Sequence, residues 1–238
     1  MLALEVEPIV AVFTPAAQAA SRATQRVPVV MWGVGDPEAN GLVSNLGMPG
    51  GNITGTTALA TELMAKNLEL LRECLPLARR VAVLVHPTDP WTPVAAAALQ
   101  RAAARLNFSL YMERSADVQS FPALFEAWSR QRMEALVVQP SVPTTAAGEL
   151  ALKHRLPACS VSRALVRAGG LFSCTPDTDE IHRHVARYVK RILEGARPAR
   201  LPVLQSTRFH WLLNVGTARR LGLQIPVSLR LRADEVVA

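Results

Sequence analysis

Residues 27–57 read VPVVMWGVGDPEANGLVSNLGMPGGNITGTT, and the fold is decided here. An apolar run from Val27 to Trp32 stops at Gly33-Val34-Gly35-Asp36-Pro37, and a second break follows at Gly47-Met48-Pro49-Gly50-Gly51-Asn52. A short apolar run closed by Gly and Pro predicts a buried strand ending in a turn. The Asp36 carboxylate can cap the following turn or helix, with Pro37 pre-set at the next position. Outward from this stretch the same order recurs: apolar strand, small polar residue, Pro, helix. Residues 8–13 (PIVAVF) predict a strand, with Thr14 as N-cap and Pro15 as the first helical residue before Ala16 and Ala17.

Further along, Val81–Val85 is a continuous apolar strand of the parallel-sheet kind, followed by His86-Pro87-Thr88-Asp89-Pro90. A helix is predicted from about Val94 to Leu106, then a strand at 108–113. Phe121, Leu124, Phe125 and Trp128 fall on one helical face. Ala135–Gln139 predicts a strand before Pro140 and Ser141, and Pro157–Ser162 predicts another. Residues 58–75 predict a helix whose apolar stripe is interrupted at Asn67. Ile181, Val185, Tyr188 and Ile192 form a second stripe, ended by Gly195 and Pro198. From 81 to 162 the order is β-α-β-α-β-α-β with short loops, which predicts an α/β fold with a doubly wound parallel sheet. The α/β pattern at 8–55 and the tail beyond 163 suggest a second lobe.

Composition narrows the function. Half of the 238 residues are apolar and only 5% aromatic, so the cores are expected to be Ala, Leu and Val. No apolar run reaches the ~18–20 residues of a membrane helix. Met1–Leu4 leads into Glu5 and Glu7 without the basic start and long apolar stretch of an export signal. The three cysteines lack metal-type spacing and are expected as buried thiols. Net charge is +7, yet residues 1–70 carry six acids against three bases, while 181–232 hold eleven Arg/Lys against Glu194 alone. No nucleic-acid module accompanies that run, so it reads as a solvated face and no nucleic-acid partner is expected. GxGxxG, Walker A, GxSxG and HExxH are all absent, and neither His86 nor the His182/His184 pair has the partners of a catalytic or metal site. An enzyme, a cofactor and a metal are therefore not expected. An open α/β sheet binds ligands outside the carboxyl ends of its strands. Those ends are Thr14-Pro15, Gly35-Asp36-Pro37, His86–Pro90, Gln139–Ser141 and Ser173–Pro176. N–H groups at the helix after Thr14 can hold a carboxylate, and Asp36 can pair with an ammonium, which suits an amino acid or another small polar solute.

An ordered set of segments carries a family resemblance: TPAAQAA (14–20), VGDPEANGLV (34–43), PGGNITG (49–55), ELMAKNLELLRECLP (62–76), RVAVLVHP (80–87), AGGLFS (168–173) and YVKRILEGARPARLPV (188–203). With them the chain resembles, nearly end to end, the ABC-transporter substrate-binding protein family that includes tryptophan/tyrosine-type binding lipoproteins. The resemblance implies a type I periplasmic-binding-protein fold: two doubly wound lobes joined by crossovers, residues 1–55 with 168–200 and 56–167 with 201–238. PGGNITG leads the first crossover and AGGLFS the second. It implies a small-molecule ligand held by Thr14, Pro15, Ala16, Asp36, Pro37, His86, Asp89, Gln139, Ser141 and Ser173, permease subunits as partners, and a periplasmic location. The chain departs from the family in having Phe13 where Gly is usual, His86 where Asn is favoured, and Ser173-Cys174-Thr175 for Ser-Tyr-Gly. Family members also begin with an export signal and two βα units before the equivalent of Pro8. By that comparison the first lobe is expected to be incomplete at its N-terminus. A cytoplasmic small-molecule sensor and a non-functional remnant are the alternatives.

Overall fold

A computed structural model describes residues 8–238. In chain order the elements are β1 (Ile9–Val12), α1 (Phe13–Ala23), β2 (Val29–Val34), β3 (Ile53–Thr57), α2 (Ala60–Cys74), β4 (Arg80–Val85), α3 (Thr92–Leu106), β5 (Ser109–Arg114), α4 (Phe121–Arg130), β6 (Ala135–Val138) and α5 (Thr144–Lys153). They continue with β7 (Ala158–Ser160), α6 (Arg163–Arg167), β8 (Phe172–Pro176), α7 (Thr178–Leu193), β9 (Leu204–Gln205), β10 (Phe209–Asn214), α8 (Val215–Leu221), α9 (Val227–Arg232) and β11 (Glu235–Val237). The β-α-β-α-β-α-β order expected from 81 to 162 is present as β4 to β7.

The chain forms two compact units. Unit 1 comprises described residues 8–61, Asp89–Val94 and Pro176–Phe209. Its sheet runs β1-β2-β3-β9, every pair parallel. Side chains alternate across β2, as the two-residue period requires. Val29 and Met31 pack with Ala11, Ala17 and Leu42 on one face. Val30 packs with Ile181, Val185, Tyr188 and Ile192 of α7 on the other, so the predicted α7 stripe is its core-facing side. Asp177 caps α7, accepting from the N–H groups of Asp179 (2.9 Å) and Glu180 (3.1 Å). The chain enters this part of unit 1 at Pro176 and leaves at Phe209, and the two ends are tied together. Asp177 N–H donates to the Arg208 carbonyl (2.9 Å). The Glu180 carboxylate accepts from Ser206 Oγ (2.9 Å), Thr207 N (3.1 Å), Thr207 Oγ1 (2.8 Å) and Arg208 N (3.2 Å). Burial alone would raise the Glu180 pKa, but these hydrogen bonds to the charged form hold it at about 2.

Unit 2 comprises Glu62–Thr88, Ala95–Thr175 and His210–Ala238. Its sheet runs β11-β10-β8-β7-β6-β4-β5. Ala82 and Leu84 of β4 and Leu136 and Val138 of β6 pack against Phe121, Phe125 and Trp128 of α4, with Leu124 at the margin. Asn67, which interrupts the α2 stripe, is fully buried. Its Oδ1 accepts from Cys174 N–H (3.0 Å) and its Nδ2 donates to the Ser160 carbonyl (3.3 Å), clamping β7 and β8 to the helix. The three cysteines are free and buried as expected. Desolvation pushes the Cys74 thiol up to about 12 and the Cys174 thiol to about 11, so both are inert at neutral pH.

Three sequence expectations need correcting. Thr14 is not the N-cap of α1. The helix starts at Phe13 with Val12 as cap and no side-chain cap bond, because the chain turns out of β1 through a left-handed Phe13 (φ 60°). That conformation costs a non-glycine residue about 1–2 kcal/mol. Second, β3 (ITGTT) was not foreseen. It lacks an apolar run, yet every residue is buried, and Thr54 Oγ1 donates to the Leu201 carbonyl (2.6 Å). Third, the lobe boundaries differ from those expected: residues 56–61, 89–94 and 201–209, expected in the second lobe, fall in unit 1, where β9 pairs with β3, and residues 168–175, expected in the first, fall in unit 2.

Candidate functional site

In unit 1 the candidate residues gather at the carboxyl ends of β1 and β2. Thr14 lies in the first turn of α1 and is buried, and its Oγ1 accepts from Gly35 N–H (3.3 Å). Pro15 and Ala16 follow it on the exposed side of the helix. Asp36 Oδ1 accepts from Ala39 N–H (3.0 Å), so its carboxylate caps a turn. The Asp36 carbonyl takes Asn40 Nδ2 (2.6 Å), and the buried Pro37 carbonyl takes Leu42 N–H (2.9 Å). The turn is thereby fixed at both ends while Asp36 itself stays half-buried.

Four further residues complete this corner, and three of them were not singled out by sequence. Thr57, at the end of β3, donates from Oγ1 to the Val34 carbonyl (2.9 Å) and lies 3.4 Å from the Gly35 carbonyl. Trp91 lies flat on Gly35: a Cβ at Gly35 would come within 2.8 Å of its ring carbons. Trp91 Nε1 donates to Thr61 Oγ1 (3.0 Å). The predicted Asp89 is buried, and its Oδ1 accepts from Trp91 N–H (2.9 Å). Asp89 therefore reaches the Gly35–Asp36 turn through the residue that it positions. The only sequence signal was a Gly followed by a turn, which says that something approaches closely but not what.

In unit 2 the structure brings His86, Gln139 and Ser141 together. Gln139 is fully buried. Its Oε1 accepts from His86 N–H (3.0 Å) and its Nε2 donates to Ser141 Oγ (3.0 Å), so one amide joins the carboxyl ends of β4 and β6. His86 Nδ1 accepts from Thr88 N–H (3.3 Å), which places the ring proton of the neutral tautomer on Nε2. Ser173 is not in contact with this trio. It sits on β8 in register with Ser160, which is itself in register with Val138 of β6. The Ser173 and Thr175 hydroxyls share one face of β8, are buried, and have no hydrogen-bond partner among the described residues. Among the described residues no cluster of metal-ligating side chains occurs, and no helix is long and apolar enough to cross a membrane.

Comparison with known proteins gives the family of the chain. The model of the ABC transporter substrate binding protein family matches residues 2–237. The chain belongs to that family. It is 26% identical over 234 residues to a tyrosine-binding protein of Clostridioides difficile (strain R20291), covering 96% of this chain and 65% of that protein. The chain thus spans somewhat under two thirds of the length of this relative. Among solved structures, a conserved domain protein of Vibrio cholerae O1 biovar eltor superposes with a TM-score of 0.90 at 26% identity, covering 99% of this chain and 80% of that one. An ABC domain in complex with L-Trp from Streptococcus pneumonia superposes with a TM-score of 0.87 at 24% identity, covering 99% and 82%. The two-lobed fold of parallel sheets expected from the family resemblance is borne out.

Proposed function

We propose that this chain is the solute-binding component of an ABC uptake transporter and binds an amino-acid-like or other small organic ligand. The observation that carries the reading is the family match over nearly the whole chain. The tyrosine-binding and L-Trp-complexed relatives make amino acids the first class to test. In unit 1, the first-turn N–H groups of α1 around Thr14–Ala16 receive a carboxylate, favoured there by hydrogen bonding and the helix dipole. Asp36, beside Pro37 on a turn fixed by its own hydrogen bonds, pairs with an ammonium. Asp89 acts by holding Trp91. In unit 2, His86, the Gln139 amide, Ser141 and Ser173 supply hydrogen-bond donors and acceptors. The protein works outside the cytoplasm and hands its ligand to permease subunits. It catalyses nothing, and no cofactor takes part.

Isothermal titration calorimetry of the full chain against the twenty amino acids tests the reading. Saturable 1:1 binding to at least one amino acid is expected, and Asp36→Asn is expected to weaken it by tenfold or more, through loss of one desolvated ion pair. Absence of binding to any of them refutes an amino-acid ligand, and binding that is indifferent to Asp36→Asn refutes the role of Asp36.

A further inference from the structure

Trp91 occupies the middle of the proposed site in unit 1. Its indole covers Gly35 at the carboxyl end of β2, between Thr14 beyond β1 and Thr57 at the end of β3. That is where an open parallel sheet receives its ligand. The ring is held at three points. Its backbone N–H goes to Asp89 Oδ1, its Nε1 goes to Thr61 Oγ1, and its face lies on a glycine that leaves no room for a Cβ. It is 2% exposed. An aromatic residue that receives a ligand by stacking presents a free face. Trp91 presents none, so it takes up volume instead of offering a surface.

From this packing we propose that Trp91 is a specificity-determining plug, and that the ligand is a small aliphatic solute of glycine, alanine or serine size, carrying a carboxylate and an ammonium. The proposal rests on the solute-binding reading above and narrows it. The Thr14–Ala16 helix start and Asp36 hold the two charged ends of such a molecule. The chain's own indole fills the space next to the turn that an aromatic side chain would need. Selection by a single methylene already discriminates about 10–200-fold, so exclusion of a whole aromatic side chain is expected to reach at least the low end of that range.

The test uses the full chain as wild type, as Trp91→Ala and as the intermediate-sized, apolar Trp91→Leu, titrated by calorimetry with glycine, L-alanine, L-serine, L-tyrosine, L-tryptophan and free indole. An apolar cavity of about 150 Å³ is large enough for a benzene ring, so removing the indole opens a slot of ligand size. The wild type is expected to bind a small amino acid at least tenfold more tightly than either aromatic one. Trp91→Ala is expected to gain indole or L-tryptophan binding by tenfold or more, and Trp91→Leu to gain less. Wild-type binding of L-tyrosine or L-tryptophan in preference to the small amino acids overturns the plug while leaving the solute-binding function intact. A folded Trp91→Ala or Trp91→Leu protein with no gain for indole or L-tryptophan over wild type also overturns it. Indole binding by Trp91→Ala with none of these amino acids bound by the wild type overturns the assignment of a small amino acid as the ligand.

Discussion

Replacing Asn67 by Leu sets the helical pattern against the structure. In sequence, Leu at position 67 completes an apolar stripe and ought to stabilise α2. In the folded chain, Asn67 is fully buried and satisfies two main-chain groups of β7 and β8. Leucine leaves the Cys174 N–H and the Ser160 carbonyl without these partners, at about 1–3 kcal/mol for each group. Burial of the new side chain returns about 1.5–3 kcal/mol. The net expectation is a loss of about 1–3 kcal/mol, or roughly 2–12 °C in Tm for a protein of this size. Thermal unfolding followed by circular dichroism, with urea unfolding as a second measure, reads the change. A protein with Asn67→Leu that melts at or above the wild-type temperature shows that the clamp contributes nothing, and that the interruption of the stripe has no structural cause.

Other outcomes follow from the same geometry. Gly35→Ala drives a methyl group into the Trp91 ring at 2.8 Å; overpacking of this kind costs about 1–3 kcal/mol, and a lowered Tm with altered near-UV circular dichroism is expected. Unchanged melting would show that the ring yields freely. Glu180 gives a pH signature. Its folded pKa of about 2 lies below the unfolded value of about 4.3, so its stabilising contribution is complete above about pH 5 and is lost as pH falls towards 2. Screened by solvent, the contribution is on the order of 1–2 kcal/mol. Glu180→Gln is therefore expected to be less stable than wild type at pH 7 and to converge with it near pH 2–3 in urea titrations. A constant difference across that range would remove the carboxylate from the account.

The elements of this chain were legible where local periodicity carries them. The α7 stripe Ile181, Val185, Tyr188 and Ile192 and the α4 face around Phe125 and Trp128 are both core-facing. The apolar β4 and β6 strands lie where their runs of Val and Leu place them. By contrast, β3 was illegible because its threonines are buried through hydrogen bonds to distant main-chain groups, such as Thr54 to Leu201, and no apolar alternation marks it. At the candidate site, Thr14, Asp36 and Asp89 were legible as polar residues beside Pro or Gly. The role of Thr14 was not, since a left-handed Phe13 moves the cap to Val12.

Residues 27–57 by themselves determine a buried strand, a capped turn and a glycine-rich break, because these follow from side-chain period and from the backbone freedom of Gly and Pro. Only the tertiary structure decided that Gly35 faces an indole 56 positions further along the chain, that Asp89 positions that indole, and that Thr57 closes the same corner. The physical reason is that local sequence specifies which way a strand turns and which residues it buries. Which side chain then fills the space over a glycine depends on packing and hydrogen bonds between segments whose separation in the chain carries no local signal.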